Sequence, residues 1–297
     1  MVEGLLIVDK PAGMTSHDVV AHVRRLCGQR QVGHAGTLDP LATGVLVLCL
    51  GRATRLAEYL QAHPKRYQAT LRLGEATDTY DADGQVVRLA PIPPLTSAEL
   101  SSHLQRFRGA IQQRPPAFSA VKRSGVPAYR RARRGEAIDL PARTVHIAEL
   151  RLLEWSSPDL RLEIVCSAGT YIRSLAHDLG EAIGCGAHVV ALRRLASGPF
   201  TVADAVAWPE LAKGASATWQ LRILPLAAAV ADLPAARLDE QALRAVAYGQ
   251  PIVLPVWPQA HPSMGEMAAG LTATGELAAV LRYDAERRVW RPEKVFL

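Results

Sequence analysis

Hydrophobic positions along the chain fall into three patterns, each predicting a different element. Alternation is clearest from Arg66 to Gly74, where Tyr67, Ala69, Leu71 and Leu73 share one face and Arg66, Gln68, Thr70 and Arg72 the other. Leu160, Leu162, Ile164 and Cys166 repeat it against Arg161 and Glu163. A period of two predicts strands with one face covered, and both segments read as antiparallel. Unbroken apolar runs at Leu5-Leu6-Ile7-Val8 and from Val45 to Leu50 predict buried strands, the first stopped by Asp9-Lys10-Pro11, the second bounded by Gly44 and Gly51. Val19, Val20, Val23 and Leu26 recur at helical spacing behind Thr15 and Ser16, which can cap a helix. Glu99 to Phe107 and Ser174 to Ile183 also read as helices.

Because the strands cluster rather than alternate strictly with helices, the pattern predicts an α+β fold with a mixed, mainly antiparallel sheet. Two stretches stand outside it. Residues 114–136 carry Pro115, Pro116 and Pro127 and no long apolar period, so they read as an excursion from the sheet. From about Pro234 the pattern changes again. Asp239 can cap a helix containing Leu243, Val246 and Ala247, which Gly249 would end. Short strands are expected at Pro251 to Val256, Glu276 to Tyr283 and Val289 to Phe296. The expected division is therefore a domain of residues 1–231 and a small β-rich module of residues 232–297.

Composition narrows the class. With 49% hydrophobic and 21% charged residues the chain is an ordinary folded protein rather than a disordered one. No apolar run approaches the roughly 20 residues needed to cross a bilayer. Met1 to Asp9 has neither the basic start nor the cleavage site of a secretory signal. Cys27, Cys49, Cys166 and Cys185 are widely spaced without a CxxC pair, so they read as reduced thiols rather than zinc ligands, and a cytoplasmic location is expected. The net charge of +6 is compatible with a polyanionic partner. Its distribution says more. Lys122, Arg123, Arg130, Arg131, Arg133 and Arg134 follow one another with no acidic residue between, and Tyr129 among them can stack on a base. The same run also suits a solvated helix face.

Candidate chemistry centres on His34-Ala35-Gly36-Thr37-Leu38-Asp39-Pro40-Leu41-Ala42-Thr43-Gly44, a polar loop directly before the buried strand at Val45. Gly36, Pro40 and Gly44 restrain the loop and leave room for a ligand to approach its backbone. A carboxylate held there can act as nucleophile, general base or metal ligand, or simply cap the next turn.

The run Gly-Thr-Leu-Asp-Pro-Leu-Ala-Thr-Gly from Gly36 to Gly44 resembles the catalytic motif of the TruB-type pseudouridine synthases. Further segments match in order: Asp9-Lys10-Pro11 with Gly13 and Thr15-Ser16, Lys65-Arg66-Tyr67, Thr77-Asp78-Thr79 and Asp81-Ala82-Asp83-Gly84. Ser167 to Arg173, Gly184 to His188 and Leu192-Arg193-Arg194 follow. The likeness extends from about Gly4 to Phe200.

The resemblance implies a pseudouridine-synthase fold and conversion of one T-loop uridine of tRNA, position 55, to pseudouridine without cofactor or metal. Asp39 would attack the base or the ribose, Arg173 would pair with it, and Tyr67 would stack on the flipped uridine. Tyr171 and Leu192 would line the uridine pocket, and His34 would take the place the base leaves. Asp81 resembles an acidic residue that exchanges as the partner of Arg173, and Lys10 and Pro11 look like braces of the loop. Residues 114–136 match a thumb-like insertion that clamps the T-arm stem-loop. Lys122, Arg123, Arg130 and Arg131 would then contact RNA, with Arg193, Arg194 and nearby His188 facing its backbone. The C-terminal module resembles a PUA-like RNA-binding domain, most of all in Gly275-Glu276-Leu277 and from Arg291-Pro292 to Val295-Phe296. A monomer without an obligate protein partner is expected.

Three alternatives stay open at this level. A tRNA-binding or folding-assistance protein would need the basic insertion but not Asp39 and Arg173 in register. A guided ribosomal-RNA synthase would carry a long basic tail. A glycosidase would need a second carboxylate beside Asp39.

Overall fold

The apolar patterns assemble around one long sheet, and their differences reflect which strands are covered on one face and which on two. The structure, a computed structural model, describes residues 2–119, 121–123, 126–132, 134, 136, 140–212, 217–254 and 262–297. The first half runs β1 (Gly4–Lys10), α1 (Ser16–Cys27), β2 (Val32–His34), β3 (Thr43–Leu50), α2 (Ala57–Ala62), β4 (Lys65–Leu73), β5 (Glu75–Thr77) and β6 (Val86–Leu89). Helix α3 (Ser97–Gln105) and β7 (Gly109–Gln113) precede the insertion, which carries β8 (Lys122–Arg123), β9 (Val126–Pro127) and α4 (Ala128–Ala132). After it come β10 (Arg143–Ser156), β11 (Asp159–Cys166), α5 (Ile172–Ile183), β12 (Ala187–Ser197), β13 (Phe200–Thr201), β14 (Val206–Ala207) and α6 (Trp208–Ala212). The C-terminal part holds β15 (Ala235–Arg237), α7 (Glu240–Ala247), β16 (Met267–Leu271), β17 (Leu277–Asp284) and β18 (Val289–Val295).

The main sheet runs β14-β1-β3-β12-β4-β11-β10-β7, with β2 on β3 and β13 on β12. The pairs β1–β14 and β3–β12 are parallel, and the other neighbours are antiparallel. Helices α1, α3 and α5 cover one face, packing Val19, Val23, Leu100, Leu104, Leu175 and Leu179 on Leu46, Leu71, Leu162 and Ile164. Each Leu so buried contributes about 1.5–3 kcal/mol. On β1 and β3 the intervening residues Leu5, Ile7, Val45, Val47 and Cys49 are buried as well, against α2, Phe200, Ala229, Val230 and the C-terminal residues Leu277, Val280 and Phe296. Burial on both faces explains those two unbroken runs. On β4 and β11 the second face stays open, with Arg66 and Arg161 exposed, so these strands alternate.

Caps form where the side chains allow. Thr15 and Asp18 make a reciprocal capping box on α1, which ends at Gly28 in the left-handed conformation. Asp239 caps α7 by accepting from the Ala242 N–H at 2.7 Å. The C-terminal sheet has the order β15-β16-β17-β18. The strand expected at Pro251 to Val256 is reduced, within 251–254, to an isolated bridge between Ile252 and Trp290; 255–256 lie outside the described residues. The sheet instead includes Met267–Leu271, between β15 and β17, whose Ala, Ala and Gly carry no alternating signal.

Candidate active site around Asp39

The loop from Ala35 to Ala42 is tied down at nearly every residue. Ala35 N–H donates to the Val47 carbonyl, and Leu38 is bracketed by Ser16, whose Oγ accepts from its N–H and donates to its carbonyl. Asp39-Pro40-Leu41-Ala42 is a tight turn, closed by Ala42 N–H on the Asp39 carbonyl at 3.1 Å, with Pro40 at the position where its fixed φ suits a turn. The Pro40 carbonyl accepts from Gly13 N–H and from Lys10 Nζ, which also donates to Pro11 and Met14. Lys10 is fully buried, and burial pushes its ammonium pKa down to about 8.

Asp39 meets Arg173 across this loop. Nε of Arg173 donates to Oδ2 at 2.9 Å and Nη2 to Oδ1 at 3.0 Å, a bidentate fork that fixes the carboxylate plane. The guanidinium is 6% exposed and held further by the Thr79 carbonyl, the Phe118 carbonyl and Asp81, whose Oδ2 lies 3.3 Å from Nη1. Asp39 keeps 33% of its side chain open to solvent at the mouth. Burial pushes its pKa above the ordinary carboxylate value, while Arg173 pulls in the opposite direction. The arrangement presents an oriented carboxylate with one open side, backed by the Arg173 guanidinium.

Beside it Tyr67 is buried at 8% exposure, and burial pushes the pKa of its phenol up. Tyr171 is half-buried. Gln113 clasps its backbone on both sides, donating to its carbonyl at 3.0 Å and accepting from its N–H at 2.7 Å, while Arg143 lies 5.8 Å over the ring. Leu192 lines an open groove of about 660 Å³ together with Gly13, Pro40, Leu41, Gln68 and Arg193. That groove begins at the two residues after Asp39. His34 is half-buried, and burial lowers its pKa, which favours a neutral ring at neutral pH.

The basic residues divide unevenly. Arg193 grips Asp9 bidentately at 3.0 and 2.8 Å on the groove wall and stays partly exposed. Arg194 corrects the expectation that both arginines face RNA. It is 1% exposed, and its guanidinium donates to the carbonyls of Val45, Thr37 and Gly36, so it staples the Asp39 loop to β3. Here β3 and β12 pair only at Thr43↔Arg193 and Gly44↔Arg194. Gly44 is required at this seam: its φ is +99° and a Cβ would lie 2.2 Å from the Arg194 carbonyl. His188 is corrected in the same way, being buried with Nδ1 3.0 Å from the Glu75 carbonyl. Arg194→Met is therefore expected to cost about 2–3 kcal/mol of folding stability in urea melts by stranding buried carbonyls. RNA affinity should keep its salt dependence, because no phosphate contact is lost.

In the insertion Arg130 is exposed, and Arg131 is paired with Glu136 at 2.6 Å rather than free. The side chains of Lys122, Arg123 and Tyr129, and all of Arg133, lie outside the described residues. Sequence reading missed the carbonyls of Thr79 and Phe118 and the amide of Gln113. Thr79 ends the matched run Thr77-Asp78-Thr79, two residues before Asp81, and was within reach, whereas the other two carry no signal in their residue type.

The comparisons with known proteins bear on this geometry. The family description TruB family pseudouridylate synthase, N-terminal domain, matches residues 24–172, and the tRNA pseudouridylate synthase B C-terminal domain matches residues 173–231. The chain belongs to the TruB family of pseudouridylate synthases. A relative named tRNA pseudouridine synthase B from Xanthomonas campestris pv. campestris (strain B100) is 42% identical over 299 residues, covering 99% of this chain and 94% of that protein. One of the same name from Synechococcus sp. (strain WH7803) is 50% identical over 241 residues, 80% of each. Among solved structures, a Cbf5-Nop10-Gar1 complex matches with a TM-score of 0.76 and 29% identity, covering 99% of this chain and 85% of that one. The fold is thus the pseudouridine-synthase fold, and the family contains enzymes that isomerise uridine. Among the described residues no helix is long and apolar enough to cross a membrane.

Proposed function

We propose that this TruB-family chain converts uridine to pseudouridine in tRNA, at position 55 of the T-loop, with Asp39 as the attacking carboxylate. The observation that carries the reading is the bidentate Arg173–Asp39 pair, set in a loop pinned from three elements and open on one side. An oriented carboxylate backed by a buried cation suits covalent catalysis, in which a nucleophile splits a hard step into two easier ones. The target base must leave its stack to reach it, at a cost of a few kcal/mol. Tyr67 and Leu192 supply apolar surface for the flipped ring, and the neutral His34 imidazole suits the vacated place in the RNA. The relatives named tRNA pseudouridine synthase B support tRNA as the substrate. We read residues 1–231 as the catalytic domain, 114–136 as the clamp on the T-arm, and the C-terminal sheet as a PUA-like RNA-binding module. The enzyme acts as a monomer in the cytoplasm, without cofactor or protein partner.

Purified protein incubated with an unmodified tRNA transcript should form pseudouridine at one T-loop uridine, and none when that uridine is replaced by cytidine. Modification elsewhere, or binding without conversion, would overturn the assignment. A clamp on phosphates also predicts that log Kd rises linearly with log salt. Arg130→Gln should lower that slope by about one while leaving kcat intact.

A further inference from the structure

The Arg173 guanidinium is aimed by a loop whose own conformation is unusual. Tyr80, between Thr79 and Asp81, has a φ of +63°; the only other non-glycine residue with positive φ among the described ones is Arg288. An aromatic residue in the left-handed region is strained, so the surroundings must hold it there. Its backbone is fastened by Tyr80 N–H on the Thr77 carbonyl and by Val189 N–H on the Tyr80 carbonyl. Its ring is fastened by His177, against which it stacks with centroids 4.0 Å apart and planes 12° from parallel. The left-handed turn at Tyr80 brings both neighbours onto one cation: the Thr79 carbonyl accepts from Arg173 Nη1 at 3.1 Å, and Asp81 Oδ2 lies 3.3 Å from the same atom. His177 is four residues beyond Arg173 on α5, hence on the same side of that helix.

We infer that Tyr80 and His177 form a positioning pair that sets the Arg173 side chain for its work on Asp39. The helix that supplies the arginine also supplies, one turn on, the ring that locks the loop accepting it. With Nη1 occupied by that loop, Nε and Nη2 are left facing the Asp39 carboxylate. Neither ring touches the reacting atoms. Their effect passes through Arg173, so loss of the stack changes the chemical step rather than RNA affinity. This inference rests on the reading of Asp39 and Arg173 given above.

The test combines single-turnover conversion of a tRNA transcript with the Arg173 Nε–H resonance in 15N-arginine-labelled protein, assigned through Arg173→Lys. Tyr80→Gly removes the ring while relieving the backbone strain, so a loss cannot be blamed on φ. Tyr80→Gly and His177→Ala should each lower the conversion rate about five- to tenfold, the worth of an aromatic pair, with tRNA Kd unchanged. The double variant should be no worse than either single one. Tyr80→Phe and His177→Phe, which keep the stack, should stay within about twofold of wild type. The Nε–H signal should be sharp in wild type and the Phe variants, and exchange-broadened in Tyr80→Gly and His177→Ala. Wild-type rate and a sharp signal in Tyr80→Gly would overturn the inference, as would additive losses or a fall in melting temperature alone. If wild-type protein makes no pseudouridine, the functional reading falls, while the resonance still decides whether the stack orders Arg173.

Discussion

Asp39→Asn should abolish pseudouridine formation, a loss of roughly a thousandfold or more, while leaving tRNA binding and the fold in place. The substitution keeps the shape and a carbonyl oxygen for Arg173 but cannot form the covalent bond. Arg173 does not become an orphan, because Thr79, Phe118 and Asp81 still hold its guanidinium. Stability gives an independent reading with a definite sign. The folded pKa of Asp39 is raised by burial, so its contribution to stability is fully present below the ordinary carboxylate pKa and is lost as pH rises through the folded value. At neutral pH the ionised aspartate therefore costs stability, and the neutral Asn variant should be at least as stable as wild type, as expected where a site trades stability for chemistry. Urea midpoints at neutral and mildly acidic pH check this, with wild type gaining on the variant as pH falls. A strongly destabilised Asn variant would mean that the Asp39 side chain serves the turn instead. Conversion by a well-folded Asn variant would remove Asp39 from the mechanism.

How much of this was legible beforehand depended on whether a residue's role leaves a trace in side-chain pattern. Strands β4 and β11 were readable because their inner residues bury against helices while their outer arginines meet water. Strand β10 was not, although it is 14 residues long. Bulges between Ile147 and Glu149 and between Leu152 and Glu154 shift its phase, so its apolar positions never hold a steady alternation. The Asp39–Arg173 pair spans 134 positions, and only matched motifs joined the two in sequence. The carbonyl of Phe118 was invisible because every residue has one. Arg194 was misread for a reason the sequence did contain. Neighbours on a strand point to opposite faces, so with Arg193 on the groove its successor had to turn inward. A buried arginine is costly unless carbonyls or acids receive it, and the Gly36, Thr37 and Val45 carbonyls do so here.

Arg173 should prove nearly as sensitive as Asp39, and its pH dependence should reveal how it acts. Arg173→Lys keeps a positive charge but loses the planar fork that contacts both carboxylate oxygens, so a loss of about a hundredfold is expected from misorientation alone. Arg173→Met removes the charge as well and should be worse. It strands Asp81, which is buried at 7% side-chain exposure beside the lost cation, so some destabilisation must accompany it. The distinguishing readout is the acid limb of the rate profile. Asp39 must be ionised to attack, and its pKa already stands above the usual carboxylate range because burial outweighs its neighbours, Arg173 being the largest influence holding it down. Activity should thus rise with pH through an elevated pKa in wild type. Without the guanidinium the limb should move to still higher pH, with Arg173→Lys between the two. Single-turnover rates across the pH range measure this without interference from product release. A uniform drop at every pH would mean that Arg173 orients Asp39 without governing its charge. A shifted limb, partly rescued in Arg173→Met by raising the pH, would show that the arginine serves the aspartate both as a clamp and as the counterion that keeps it ionised.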